Sequence, residues 1–194
     1  MKPGISLALG AALIALATAL VPPTARTQDA PARTEAELRQ LLAGAWFLTG
    51  SPSAGQATID AAIERAVSEM NFFVQGVTRS QLRDKTPLNR RIDIAFAPSG
   101  EITVGFDQRF TYTTRPGVAQ PFTLPDGAQV EVTQHFREGH LEQYFGHSLG
   151  RRWNAYALSP DGRTMTITAT QQGPMMPQPV HFTLHYRQRG SAAQ

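Results

Sequence analysis

Apolar residues recur with a 3.6-residue period in one long stretch of this chain and with a two-residue period almost everywhere after it. Over residues 58–83, Ile59, Ala62, Ile63, Ala66, Val67, Met70, Phe73, Val74 and Val77 keep three-four spacing, while Asp60, Glu64, Arg65, Glu69 and Gln75 occupy the other side. That pattern predicts one long amphipathic helix. Thr58 is its expected N-cap, with Asp60 in the first turn, and Gly76 weakens it before Leu82. Upstream, residues 35–43 predict two helical turns with Leu38, Leu41 and Leu42 on one side, then a first strand over 44–48 that Ser51-Pro52-Ser53-Ala54-Gly55 ends.

After Pro87 the period falls to two. Ile92, Ile94 and Phe96 alternate with Asp93 and Ala95, and Pro98-Ser99-Gly100 turns the chain into Ile102, Val104 and Phe106, which predicts a hairpin. Strand-like runs follow over 110–114, 130–136, 141–145, 153–158, 165–169 and 180–186, separated by turn-formers such as Glu138-Gly139 and Ser159-Pro160-Asp161-Gly162. Phe122 to Gly127 is expected as a short turn. Eight or more short strands favour a barrel or sandwich over a parallel sheet, because parallel crossovers need a dozen residues each and one helix is available. The predicted class is mainly β: an antiparallel up-and-down barrel with one long amphipathic helix after the first strand.

Alternation assigns an interior. Ile92, Ile94, Phe96, Ile102, Val104, Phe106, Val130, Val132, Phe136, Phe145, Trp153, Met165, Ile167, Phe182, Leu184 and Tyr186 are expected to point in. Thr164, Thr166, Thr168, Glu131, Thr133 and His181 are expected to face water. The candidate ligand-binding set is Phe96, Phe106, Phe136, Phe145, Trp153, Phe182 and Tyr186, with Tyr186 as a polar handle. Such an interior suits an apolar ligand and a solid core equally. Ile63, Val67, Met70 and Phe73 of the helix would cover the opening as a lid or fill it as a plug.

The chain has 194 residues, 41% of them hydrophobic, which predicts one domain, over residues 34–190. Lys2 precedes an uncharged stretch rich in Ala and Leu that contains Ala17-Thr18-Ala19 and ends near Pro22-Pro23. This predicts a secretory signal peptide over 1–25, cleaved near 19–25, a flexible leader over 26–33, and a periplasmic or secreted protein without a membrane span once the signal is removed. Cysteine is absent, so the core holds the fold without disulfides. The formal net charge of +3 is too small to imply a polyanion. The bases Arg79, Arg83, Lys85, Arg90 and Arg91 suit a helix C-terminus and lack interleaved aromatics, so no nucleic-acid partner is expected.

Leu42-Ala43-Gly44-Ala45-Trp46, with the order of elements after it, resembles the calycin group of lipocalins and fatty-acid-binding proteins. The resemblance implies a barrel whose base is closed by the indole of Trp46, with Arg187 or Arg189 packed on it, and a helical lid. In fatty-acid-binding proteins an Arg-x-Tyr on the last strand holds the ligand carboxylate. Here that place reads Leu184-His185-Tyr186, keeping the Tyr without the Arg.

Gly146-His147-Ser148-Leu149-Gly150 matches the Gly-x-Ser-x-Gly of α/β-hydrolases, and Ser148, Asp161 and His181 or His185 follow that family's order. Such an elbow needs a helix after the serine, whereas residues 151–156 read as a strand. His181 and His185 share a strand face but stand about 13 Å apart, and no metal or cofactor is expected. Three readings stay open: non-catalytic binding of a small hydrophobic ligand, a filled barrel serving as a structural or protein-interaction module of the cell envelope, and a serine esterase using Ser148.

Overall fold

The computed structural model describes residues 33–148 and 150–188. The signal peptide expected over 1–25, all but the last residue of the expected leader, and Arg189 lie outside them. Helix α1, Glu35–Leu42, starts at a reciprocal cap: Thr34 Oγ1 accepts from the Glu37 amide at 3.3 Å, and the Glu37 carboxylate accepts from the Thr34 amide at 2.8 Å. Strand β1, Gly44–Leu48, carries the fully buried Trp46, whose Nε1 donates to the Leu42 carbonyl at 2.8 Å and ties the strand to the helix.

Two helices follow in place of the one expected. Helix α2, Pro52–Ser68, begins six residues earlier than Thr58, with Ser51 as N-cap and Pro52 in the first turn, where a missing amide hydrogen costs nothing. Gly55 packs closely inside it, since a Cβ there would lie 3.0–3.3 Å from the side-chain ends of Leu88 and Leu48. Asn71, with extended backbone and its side chain accepting from the Phe73 amide at 3.0 Å, opens helix α3, Phe72–Lys85. This break turns the apolar side of the second half outward: Phe72 is 81%, Phe73 87% and Val77 63% exposed. The expectation that Phe73 packs as lid or plug is therefore corrected. Ile63 and Val67 on α2 have no exposed surface, and Met70 packs against the core partly buried.

The remaining strands are β2 Arg91–Phe96, β3 Ile102–Phe106, β4 Phe110–Thr114, β5 Gln120–Thr123, β6 Gln129–Arg137, β7 His140–His147, β8 Gly150–Leu158, β9 Thr164–Gln172 and β10 Val180–Gln188. They form one antiparallel sheet in the order β4-β3-β2-β1-β10-β9-β8-β7-β6-β5. Pairing of β1 with β10 joins the first strand to the last. At the seam between β4 and β5 the barrel is nearly closed: the Gly117 amide donates to the Gln134 carbonyl at 2.8 Å, and Gln134 Nε2 donates to the Tyr112 carbonyl at 3.1 Å. The turn expected over 122–127 forms after Thr123, where the Gly127 amide donates to the Leu124 carbonyl at 2.8 Å, and the unexpected strand β5 precedes it, a short edge strand that tolerates Pro121.

One end of the barrel is closed by α1. The Arg39 guanidinium lies 5.1 and 5.2 Å from the ring centres of Phe96 and Phe136, and Gln188 Nε2 donates to the Leu41 and Ala43 carbonyls. The expectation that Arg187 packs on Trp46 is overturned. Gln188 stands opposite Trp46, which puts Arg187 one residue out of phase and on the outer face, paired with Phe47. The helix pair is tied to the opposite end, to the β5–β6 turn through Lys85 to Asp126 at 2.6 Å and to the end of β9 through Thr86 to Gln171 at 3.0 Å.

Candidate ligand-binding site

Strand register stacks the inward residues in rows. On the α1 side lies Phe136–Leu141–Tyr156–Ile167–Leu184; above it Gln134–Gln143–Asn154–Ala169–Phe182; and toward the helix pair Gln120–Val132–Phe145–Arg152–Gln171–Val180. The lower barrel is solid: Trp46, Ile102, Leu141, Tyr156 and Met165 have no exposed surface, and a side chain lining a space large enough for water would keep some. Inward residues are partly exposed at both ends of the barrel: at Phe96, Phe136 and Leu158 toward α1, and at Gln120, Phe145, Arg152 and Gln171, beside Phe122, toward the helix pair.

Arg152 decides the chemistry of this end. Its Nε donates to Asn154 Oδ1 at 3.0 Å, and its guanidinium lies 5.8 Å from the ring centre of Phe182. Among the described residues no carboxylate pairs with it. Loss of hydration in the barrel depresses its pKa, and nearby Tyr156, Tyr186 and Tyr112 pull weakly the other way. A cation so placed attracts an anion strongly.

Beneath it runs a polar network. Asn154 Nδ2 donates to Gln143 Oε1 at 3.4 Å and the Tyr156 hydroxyl donates to the same oxygen at 2.6 Å, while Gln143 Nε2 has no protein partner. Gln134, Gln143 and Asn154 are at most 2% exposed. Buried polar groups left unpaired cost about 1–3 kcal/mol each, so this row opposes folding. Desolvation raises the pKa of Tyr156, and also that of Tyr186, where Asp107 adds to it. Both phenols are held neutral. Desolvation likewise raises Tyr112.

Of the residues expected from sequence, Phe145 and Phe182 flank Arg152, and Phe106 joins them through Tyr112, whose ring centre lies 6.1 Å from Phe106 and 5.2 Å from Phe145. Phe96 and Phe136 meet at 5.8 Å beneath Arg39 at the closed end and do not belong to this group. Tyr186 faces in, with its hydroxyl donating to the Asn89 carbonyl at 2.8 Å. Trp153 is corrected: it is 37% exposed on the outer face, because buried Asn154 and Tyr156 fix the phase of β8 and put Trp153 between them. Sequence reasoning missed Gln134, Gln143, Arg152 and Asn154, each an even step from an inward apolar neighbour.

The esterase arrangement is not assembled. Ser148 sits exposed at the tip of the β7–β8 hairpin, and Asp161 lies beyond the far end of β8, roughly 30 Å away at 3.3 Å per residue. Asp161 is engaged by Ser159 and the Arg163 amide, and His181 Nδ1 lies 2.9 Å from Thr170 Oγ1 on the outer face. The glycines have a structural reason: a Cβ on Gly150 would stand 2.7 Å from the Gln172 carbonyl oxygen.

The solved structures similar to this one are fatty-acid-binding proteins and related barrels. Echinococcus granulosus fatty-acid-binding protein 1 has 12% identity and a TM-score of 0.47, over 77% of this chain and 98% of that one. The Schistosoma mansoni fatty acid binding protein in complex with arachidonic acid has 12% identity and a TM-score of 0.47, over 78% and 98%. The fatty-acid-binding protein of Drosophila melanogaster brain has 13% identity and a TM-score of 0.45, over 75% and 98%. No protein-family model and no curated protein sequence matches the chain. The likeness is one of fold.

Proposed function

We propose that this protein binds a small amphiphile without chemistry, holding its acidic head on Arg152 and its apolar part among Phe106, Tyr112, Phe122, Phe145 and Phe182. The observation that carries this reading is a guanidinium on an inward position of the barrel without a carboxylate partner among the described residues. A neutral apolar ligand would leave that charge uncompensated, and a cationic one would be repelled. The solid lower barrel favours a second reading, the filled barrel of a structural or protein-interaction module; on the first reading it makes the site shallow, close to the helix pair. In this proposal the protein works in the periplasm or outside the cell after losing residues 1–25, which the intact mass of protein released from the envelope by osmotic shock would test.

Isothermal titration with dodecanoate and dodecan-1-ol tests the ligand class. The carboxylate is expected to bind about 100-fold more tightly, about 2.7 kcal/mol, the worth of charge-assisted hydrogen bonds away from water. Equal affinity for acid and alcohol would remove Arg152 from the site, and binding of neither would favour the filled barrel.

A further inference from the structure

On the outside of the barrel, register sets Thr133, Tyr144, Trp153 and Thr170 side by side across β6, β7, β8 and β9. Tyr144 and Trp153 are 39% and 37% exposed. Aromatic residues directly opposite on neighbouring strands stabilise a sheet when their rings pack together. Among the ring contacts of the described residues these two do not meet. The Tyr144 ring instead lies down along its own strand, its Cε1 only 3.2 Å from where a Cβ on Gly146 would be, which a larger residue would prevent. Small neighbours, Gly146 on one side and Ala155 on the other, leave a groove of about 520 Å³ lined by Thr133, His135, Glu142, Tyr144, Arg151 and Trp153.

The rim is polar and close to neutral. Glu142 lies 3.1 Å from both His135 Nε2 and His140 Nε2, and the Arg151 guanidinium lies 5.8 Å from the Trp153 ring centre. The rim offers N–H and O–H donors from Arg151, Tyr144 and Thr133 and carboxylate lone pairs from Glu142. A polyanion would be repelled by Glu142 and a cation by Arg151, whereas a neutral ligand uses both as hydrogen-bonding partners. A ligand with an apolar face for the aromatics and hydroxyls around its edge fits floor and rim together, and a pyranose ring has that form.

We propose that the outer face of β6, β7 and β8 is a binding site for neutral oligosaccharides, with Tyr144 and Trp153 as its floor and Glu142 and Arg151 as its polar contacts. The site is separate from the barrel interior and does not depend on the ligand held there.

Nuclear magnetic resonance titration of the isotope-labelled full chain with cellohexaose, chitohexaose and maltohexaose tests it. At least one sugar is expected to shift the Trp153 indole signal and the β6–β8 amides, with a Kd on the order of 0.1–1 mM. Trp153→Ala and Tyr144→Ala should each weaken that binding at least tenfold, and Glu142→Gln, which leaves the aromatic floor intact, about threefold to tenfold. Arg152→Met, on the opposite face of β8, should leave it unchanged. Silence from all three sugars at about 5 mM, well above that Kd, would overturn the proposal. So would binding that survives Trp153→Ala in a protein with unaltered circular dichroism, or a single-stranded oligonucleotide binding this face where the sugars do not.

Discussion

Replacing Arg152 with Met separates a ligand anchor from a structural arginine, because the two roles move stability in opposite directions. In the unliganded protein the guanidinium is partly withdrawn from water and recovers one hydrogen bond, to Asn154 at 3.0 Å, and a ring contact with Phe182 at 5.8 Å. A buried ion costs several kcal/mol. The charged hydrogen bond returns about 1.5–3 kcal/mol and the ring contact about 0.5–2. Methionine fills similar space without charge, though it leaves Asn154 Oδ1 without that donor. The expected outcome is a more stable apoprotein by roughly 1–2 kcal/mol, a Tm about 2–8 °C higher. Binding moves the other way: losing the charge partner of a desolvated carboxylate costs about 3 kcal/mol, more than 100-fold in Kd. With dodecanoate at 100 times the parent Kd, ligand stabilises the parent by about 2.7 kcal/mol and the variant by about 0.3. Scanning calorimetry with and without dodecanoate reads both quantities. A variant that melts several degrees lower and keeps the full dodecanoate shift would show that Arg152 holds the barrel together and holds no ligand.

Alkaline pH should unfold the protein steeply. Tyr112, Tyr156 and Tyr186 all have pKa values raised by burial above the ordinary 10.0, so above pH 10 the unfolded chain loses protons that the folded one keeps. Stability is then lost at about 4 kcal/mol per pH unit for three phenols, and phenolate absorbance from these residues should appear together with loss of circular dichroism. Gly150→Ala, which forces a Cβ to 2.7 Å from a carbonyl oxygen at φ +150°, should cost about 1–3 kcal/mol by urea unfolding. Ser148→Ala should stay within about 0.5 kcal/mol, and a fluorophosphonate probe should not label the parent; labelling of Ser148 would revive the esterase. The double change Phe72→Ser with Phe73→Ser should leave stability within about 1 kcal/mol, whereas Ile63→Ala should cost about 2–5 kcal/mol, and the reverse order would mean that α3 packs its aromatic side on the barrel.

The change of apolar period from 3.6 to 2 near Pro87 carries most of the fold, since each period belongs to one backbone geometry. What it does not carry is whether an apolar side is covered. Phe73, Val74 and Val77 keep the spacing of Ile59, Ile63 and Val67, so the pattern runs unbroken through Asn71, although Asn71 caps a new helix whose apolar side is left in water. Strand β5 escaped notice for a related reason: an edge strand of four residues, polar and holding a proline, pairs on one side and shows no alternation to read.

At the site the useful signal was phase, and polarity concealed it. Val130, Val132, Gln134 and Phe136 are spaced by two, as are Leu141, Gln143 and Phe145, and Arg152, Asn154 and Tyr156. Choosing inward residues by apolarity drops Gln134, Gln143, Arg152 and Asn154 and admits Trp153, which is apolar and out of phase with Tyr156. A barrel selected for stability alone would fill these four positions with apolar side chains, since buried polar groups without full partners each oppose folding by about 1–3 kcal/mol. Their grouping across β6, β7 and β8, with a guanidinium that has no carboxylate partner among the described residues, is what the proposed binding site would require of a barrel that trades stability for recognition. The same phase rule makes the outward Tyr144 and Trp153 a pair on the other face of those strands, so the three strands that hold the interior site also present the outer groove.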